Sequence, residues 1–331
     1  MATLNDVAKV AKVSVSTVSR VISGSNLISE ATAEIVRQAM EEVNYHPNAV
    51  AKSLANKMRT KIIGLVLPRD TYSVYHNQFF MDALSGITLC AQEKGYYIMN
   101  AYQGEENSHT TIRDMIKSGW IDGAILTTVE YEDQNIKYLE KKEIPYAIIG
   151  SPIEGANAIS VDNDNVKIMD DVCQMLIDKG IRRIALICGD TKYIYNKHRH
   201  DGYINALKRN GIAIDRGIMH VGMHGYKNGY DSMGKLLDKN IEGVVTTDDI
   251  LAFGAVRCMN DNNVSYPITG FNNTMITEII KPHLTSVDIR AEKLGYEACN
   301  MLINYLENDQ PEADKSQQID AKIVHRESTD F

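Results

Sequence analysis

Residues 3–55, TLNDVAKVAKVSVSTVSRVISGSNLISEATAEIVRQAMEEVNYHPNAVAKSLA, constrain this chain more than any other stretch. Thr3 and Asp6 have capping-box spacing, and a short helix through Ala11 places Leu4, Val7, Ala8 and Ala11 on one face. Ser14 caps a second helix, Val15 to about Ser23, with Val18, Val21 and Ile22 inward. About three residues separate the two, which is helix-turn-helix spacing. In that arrangement the first turn of the second helix enters a DNA major groove, so Val15, Ser16 and Arg20 are expected at base edges. Thr3, Ser14, Thr17 and Ser19 carry short hydroxyls suited to phosphate oxygens. A third helix, capped by Ser29, packs through Val36, Met40 and Val43. After Tyr45-His46-Pro47, the segment from Asn48 to Ala55 is too short to be a stable isolated helix. It is expected to be helical only when something holds it, which makes it a coupling element.

DVAKVAKVSVSTVSRVISG followed by NYHPNAVAKSLA resembles the headpiece and hinge of the LacI/GalR family of bacterial transcription regulators. The resemblance implies double-stranded operator DNA as a partner and places Asn48, Ala51 and Leu54 on the hinge. Leu54 matches the residue that wedges into the minor groove. The chain departs from the pattern at Lys12, where the family usually has Gly between the helices. A non-Gly residue there costs about 1 kcal/mol if its φ is positive.

The chain carries 35 Lys+Arg against 43 Asp+Glu, and residues 1–61 alone are at +3 while the remainder is at −11. A mildly basic head on an acidic body puts any polyanion contact at the head. The five cysteines are scattered without a CxxC, which fits a reducing cytoplasm and no disulfides. No export signal or 18-residue apolar run is present, so a cytoplasmic protein without membrane contact is expected.

Beyond a short linker, strands and helices alternate. Strands are expected at 62–67, 97–101, 122–127 and 145–149, then at 183–188, 216–221, 242–246 and 267–271. Between them come helices at 80–95, 107–118, 134–142, 164–179, 199–210, 226–239 and 249–261. This order predicts α/β architecture with parallel sheets in two Rossmann-like lobes. The resemblance implies a two-lobed periplasmic-binding-protein-like effector domain, crossed by the chain near 159–162, 286–290 and 317–320. The expected organisation is then a headpiece over 1–47, a hinge and linker over 48–60, and an effector and dimerisation domain over 61–331. Within the last, lobe one takes about 61–160 and 289–318, and lobe two takes about 161–288 and 319–331.

Ligands of open α/β sheets sit beyond the carboxyl ends of strands. The residues there are Tyr72 and Phe79 after the first strand, Tyr193 and Arg199 after 183–188, Asp248 after 242–246, Asn272 after 267–271, and Asp162 at a crossing. The 77–80 segment resembles the family's NPFF, with Gln78 in place of Pro. Arg offers paired donors and Asp paired acceptors for vicinal hydroxyls, and aromatic rings can cover a sugar face. A mono- or disaccharide effector is expected. Competing readings are a helix-start surface position for Arg199, a plain N-cap at Asp248 or Asp249, a turn at Asn272, and packing for Tyr72, Tyr75 and Tyr193.

Other chemistry finds no support in the sequence. A calcium loop starting at Asp162 has Cys173 where a bidentate Glu belongs, and His198 and His200 do not share a helix face. No GxGxxG, Walker loop, GxSxG or HExxH occurs, so neither an enzyme, a metal nor a cofactor is expected. The reading is a homodimeric repressor of carbohydrate-use genes that releases DNA on binding a sugar. With the sequence ending soon after HREST, no added tetramerisation helix is expected. Alternatives are a global catabolite regulator with a phosphorylated carrier protein as co-repressor and a sugar-binding protein that does not bind DNA. Asn272-Asn273 after Gly270-Phe271 resembles the maltose-type regulators.

Overall fold

The computed structural model describes residues 2–23, 25, 27–45, 59–68, 77–102, 111–308 and 315–330. It divides into two compact units, Met1–Lys61 and Ile62–Phe331. In the first, α1 (Leu4–Val10), α2 (Val15–Ile22) and α3 (Glu30–Glu42) enclose Val7, Ala8, Ala11, Val18, Val36 and Ala39. Thr3 and Asp6 form a reciprocal capping box, and Ser14 and Ser29 accept the Thr17 and Thr32 amides at 3.1 and 3.3 Å. Each cap satisfies a helix-end amide that has no intrahelical acceptor. Lys12 occupies the left-handed region at φ +52°, so the condition for strain at this non-Gly turn position is met. The hinge residues Asn48, Ala51 and Leu54, with the whole expected hinge helix, lie outside the described residues.

The second unit holds two α/β lobes. Lobe one is built on strands β1 (Ile62–Leu67), β2 (Tyr97–Tyr102), β3 (Gly123–Leu126), β4 (Tyr146–Ile149), β5 (Ile159–Asp162) and β11 (Ser316–Gln318). Its helices are α4 (Gln78–Glu93), α5 (Ile112–Lys117), α6 (Gln134–Lys141) and α12 (Ala291–Glu307). Its sheet runs β11-β5-β4-β3-β1-β2, parallel throughout. The central strands are buried along nearly their whole length, as apolar runs covered on both faces must be.

Lobe two has β6 (Ile184–Cys188), β7 (Met219–Val221), β8 (Gly243–Thr246) and β9 (Ile268–Thr269) in the parallel order β7-β6-β8-β9. Helices α7 (Asn165–Asp178), α8 (Ile194–Arg209), α9 (Tyr226–Leu236) and α10 (Asp249–Asp261) cover it, with α11 (Ile276–Ile279) as a short turn. An antiparallel pair, β10 (Ser286–Asp288) and β12 (Lys322–Val324), completes the lobe.

Three departures from expectation stand out. Helix α8 begins at Ile194 rather than 199, β9 is only two residues long, and the 216–221 segment starts as a 3-10 turn before β7. The first matters for function, because it moves Arg199 from a helix start into the second turn of α8.

The three crossings between lobes meet at one side chain. Asn163 is 4% exposed, and its Nδ2 donates to the carbonyls of Ile289 (3.2 Å) and Ile319 (2.8 Å), one on each of the other two crossings. The Ile319 amide in turn donates to Asp162 O at 2.8 Å.

Helices α4 and α12 cross in contact at two glycines. A Cβ on Gly86 would lie 1.9 Å from the Glu292 carbonyl oxygen, and one on Gly295 would lie 2.1 Å from that of Ala83. Gly86→Ala must push the helices apart and is expected to cost about 1–3 kcal/mol. Urea denaturation of the full chain measures this, and an unchanged midpoint would show that the crossing is not tight.

Candidate functional site

On α2 the residues expected to face DNA are exposed: Val15 (40% exposed), Ser16, Ser19 and Arg20, with Thr17 half-buried. Val18 alone of this helix is fully buried. The hydroxyls of Ser14, Ser16 and Thr17 form a cluster, with Ser14 Oγ 2.7 Å from Ser16 Oγ and 2.8 Å from Thr17 Oγ1. Thr3 and Ser14 are therefore caps first, and their hydroxyls are already engaged. Arg20 forms no ion pair among the described residues, whereas Arg37 on α3 pairs with Glu30 and Glu34.

The second site is the cleft between the lobes, which lies at the carboxyl ends of the strands as the topology requires. From lobe two it is lined by Tyr195, Arg199, Asp248 and Asn272, and from lobe one by Asn77, Phe79, Thr127, Thr128 and Asp162, with Asn163 and Asn165 at the crossing. Arg199 is 5% exposed. Its Nε donates to Asn165 Oδ1 (2.8 Å), its Nη1 donates to Thr247 O (2.7 Å), and the Phe271 ring centroid lies 3.6 Å from its Cζ. Burial pushes the guanidinium down to about 10, so it remains a cation at neutral pH. Its hydrogen bonds go to neutral acceptors, and Asp248 and Asp162 act on it only through space.

Asp248 combines both roles weighed for it. Its Oδ1 caps α10 through the Ile250 amide (2.7 Å), while its Oδ2 accepts from Asn272 Nδ2 (3.0 Å) and, across the cleft, from Asn77 Nδ2 (3.4 Å). Asn272 has φ +103°, a conformation that few non-glycine residues adopt. Asp249 is instead scaffold. It is fully buried and accepts from the Thr274 amide (2.7 Å), Thr274 Oγ1 (2.9 Å) and Ser286 Oγ (2.6 Å), which anchors the 272–274 loop. Burial pushes its carboxyl up to about 7.

Asp162 accepts from Ser151 Oγ (2.6 Å), the Asn163 amide (2.8 Å) and Asn165 Nδ2 (2.9 Å), and burial raises its carboxyl. His198 Nδ1 is 3.4 Å from the same Ser151 hydroxyl. The serine donates to the aspartate, which is not the Ser-His-Asp order of a nucleophilic triad.

Tyr193 lies at the lip rather than in the wall. It forms a β-bridge with Glu130 of lobe one and stacks on Tyr195, which is the tyrosine that lines the cleft. At the same lip the Ile194 amide donates to Val129 O (3.1 Å), and Lys192 pairs with Glu130 (3.2 Å). At the other lip Gln78 Oε1 accepts from the Met275 amide (2.6 Å). Tyr72 lies outside the described residues. Thr127, Thr128 and Tyr195 were not singled out in the sequence, and Asn77 only as the first residue of the NPFF-like segment, although each stands in or just beyond a strand-end loop.

A family model described as "Bacterial regulatory proteins, lacI family" matches residues 3–48, and one for a "Periplasmic binding protein-like domain" matches 173–329. The HTH-type transcriptional regulator MalR of Streptococcus pneumoniae is 35% identical over 300 residues, covering 88% of this chain and 89% of its own length. The HTH-type transcriptional regulator RegA of Clostridium saccharobutylicum is 31% identical over 98% of both chains. Among solved structures, a complex of the transcriptional regulator CelR with cellobiose is 26% identical, with a TM-score of 0.75 over 99% of this chain and 100% of that one. Among the described residues no helix is long and apolar enough to cross a membrane. With its capped helix-turn-helix and its cleft between two parallel-sheet lobes, the chain belongs to the lacI family of bacterial regulatory proteins.

Proposed function

We propose that this regulator is a homodimeric repressor of carbohydrate-use genes whose operator affinity is lowered by a small neutral sugar held between the lobes. The observation that carries the sugar assignment is the buried Arg199. Its Nη2 makes no hydrogen bond among the described residues, and it shares the cleft with Asp248, Asn272 and Asp162. A planar fork of donors beside carboxylate acceptors suits vicinal hydroxyls. Phe79 and Tyr195 supply apolar surface for a ring, and Tyr193 closes the lip. The described lining has one cation and two carboxylates, which favours an uncharged ligand over a phosphorylated one. The solved CelR relative, in complex with cellobiose, supports the same class.

In this reading residues 1–47 form the headpiece, 48–60 the hinge and 61–331 the effector and dimerisation domain. Val15, Ser16 and Arg20 read base edges, Thr3, Ser14, Thr17 and Ser19 meet phosphates, and Asn48, Ala51 and Leu54 act from the hinge at the operator centre. One helix-turn-helix reads a half-site, so a dimer faces a two-fold-symmetric operator. Sugar binding favours the closed lobe angle, which moves the paired hinges off their DNA spacing. The effector can shift this equilibrium only by its differential affinity for the two states, and a coupling of about 1–3 kcal/mol is usual.

Selection from random duplexes should return a palindrome, and Arg20→Ala should weaken its binding by about 1–3 kcal/mol with relaxed preference at one base pair per half-site. An unchanged sequence preference would remove Arg20 from the base-reading set. A thermal-shift screen of mono- and disaccharides on wild type should identify a stabilising sugar that lowers operator affinity, and Arg199→Ala should no longer bind it. A variant that binds the sugar as tightly as wild type would place the pocket elsewhere. A sugar that tightens operator binding would make it a co-repressor.

A further inference from the structure

The polar atoms of the cleft differ in whether the protein already satisfies them. Asp162 and Asp248 each use both carboxylate oxygens, and the Thr127 hydroxyl donates to Val66 O at 3.1 Å. Thr128, the next residue, is different. It is 4% exposed and lines the cleft, yet its Oγ1 is buried with no hydrogen-bond partner among the described residues. Asn196 Oδ1 and His224 Nδ1 are also buried without partners, but neither residue lines the cleft. A threonine hydroxyl offers one donor and two acceptor sites, and leaving them unmet in a buried position destabilises the fold. Valine would fill the same volume, with the same branching at Cβ, and carry no such penalty.

We propose that the Thr128 hydroxyl is a specificity contact reserved for the effector, reading one of its hydroxyls from lobe one while Arg199 reads others from lobe two. The inference rests on the cleft being a sugar site. An alcohol hydroxyl both donates and accepts, so it matches a threonine that can rotate to do either; an apolar or deoxygenated position in the ligand would leave Thr128 unmet. The position also connects recognition to closure. Val129, the next residue, accepts the Ile194 amide across the lip at 3.1 Å, and Ile194 opens α8, the helix that carries Arg199. A ligand that engages Thr128 therefore holds lobe one beside the segment that lobe two already grips.

The test uses full-length Thr128→Val and Thr128→Ser with glucose, maltose and cellobiose as probes, read by titration calorimetry and by thermal melting. A sugar that stabilises wild type should bind Thr128→Val about five- to a hundredfold more weakly, and Thr128→Ser should retain binding to within a few fold. Without sugar, Thr128→Val should melt at or above the wild-type temperature, because it loses an unsatisfied hydroxyl and keeps its shape. Equal sugar affinity in wild type and Thr128→Val overturns the inference. So does a Thr128→Val protein that melts lower without sugar, since the hydroxyl would then serve the fold. If wild type binds a probe and Arg199→Ala does not, while Thr128→Val binds normally, the sugar site stands and only the role of Thr128 falls. If no probe binds wild type, the sugar-site reading fails and this inference fails with it.

Discussion

The side-chain amide of Asn163 joins the three chain crossings of the two-lobed body. A chain that passes between two sheets three times must leave backbone carbonyls at each passage without ladder partners, and buried carbonyls need donors. One Nδ2 group serves two of them, at Ile289 and Ile319, from the third passage. The crossings are thereby tied at a single polar node, and Asp162, Asn163 and Ile289 also line the cleft. A ligand in that cleft touches the place where the lobes are joined, so the pivot and the binding wall share residues.

The lobes prepare the cleft differently. Lobe two fixes its groups in advance: Arg199 is clamped by Asn165, Thr247 and the face of Phe271, while Asp249 holds the loop that carries Asn272. Taking a guanidinium out of water is costly unless its N–H groups find acceptors, and here neutral acceptors take two of them without cancelling the charge. Lobe one adds a carboxylate at Asp162, held by Ser151, Asn163 and Asn165, with an apolar ring at Phe79 and hydroxyls after β3. The two walls thus offer different chemistry, a clamped cation on one and a carboxylate, a ring and hydroxyls on the other.

Much of this was legible from local chemistry. Thr3, Ser14 and Ser29 announce helix starts because short oxygen-bearing side chains satisfy end amides, and the apolar run at 62–67 is a doubly covered strand. The strand-end rule located Arg199, Asp248, Asn272 and Asp162 on the cleft. It could not tell Tyr193 from Tyr195, because two residues at a helix start turn a side chain from the lip to the wall. The start of α8 was hidden since Tyr193 gives no side-chain cap and the first turn, Ile194-Tyr195-Asn196-Lys197, mixes apolar and polar residues without a clear period. Strands β10, β11 and β12 are three residues each and paired across long stretches of sequence, which leaves no local period to read. Helix α12 lacks a capping side chain too, as Arg290 in the left-handed region precedes it.

Both lips of the cleft are bridged, by Glu130 with Lys192 and Tyr193 on one side and by Asn77 and Gln78 with Asp248 and Met275 on the other. Among the described residues these contacts cross the cleft on two sides. Parting the lobes there is a motion of domains, which runs on the order of microseconds to milliseconds. It requires those lip contacts to break. The few hydrogen bonds along the rim therefore form part of the barrier to opening the cleft.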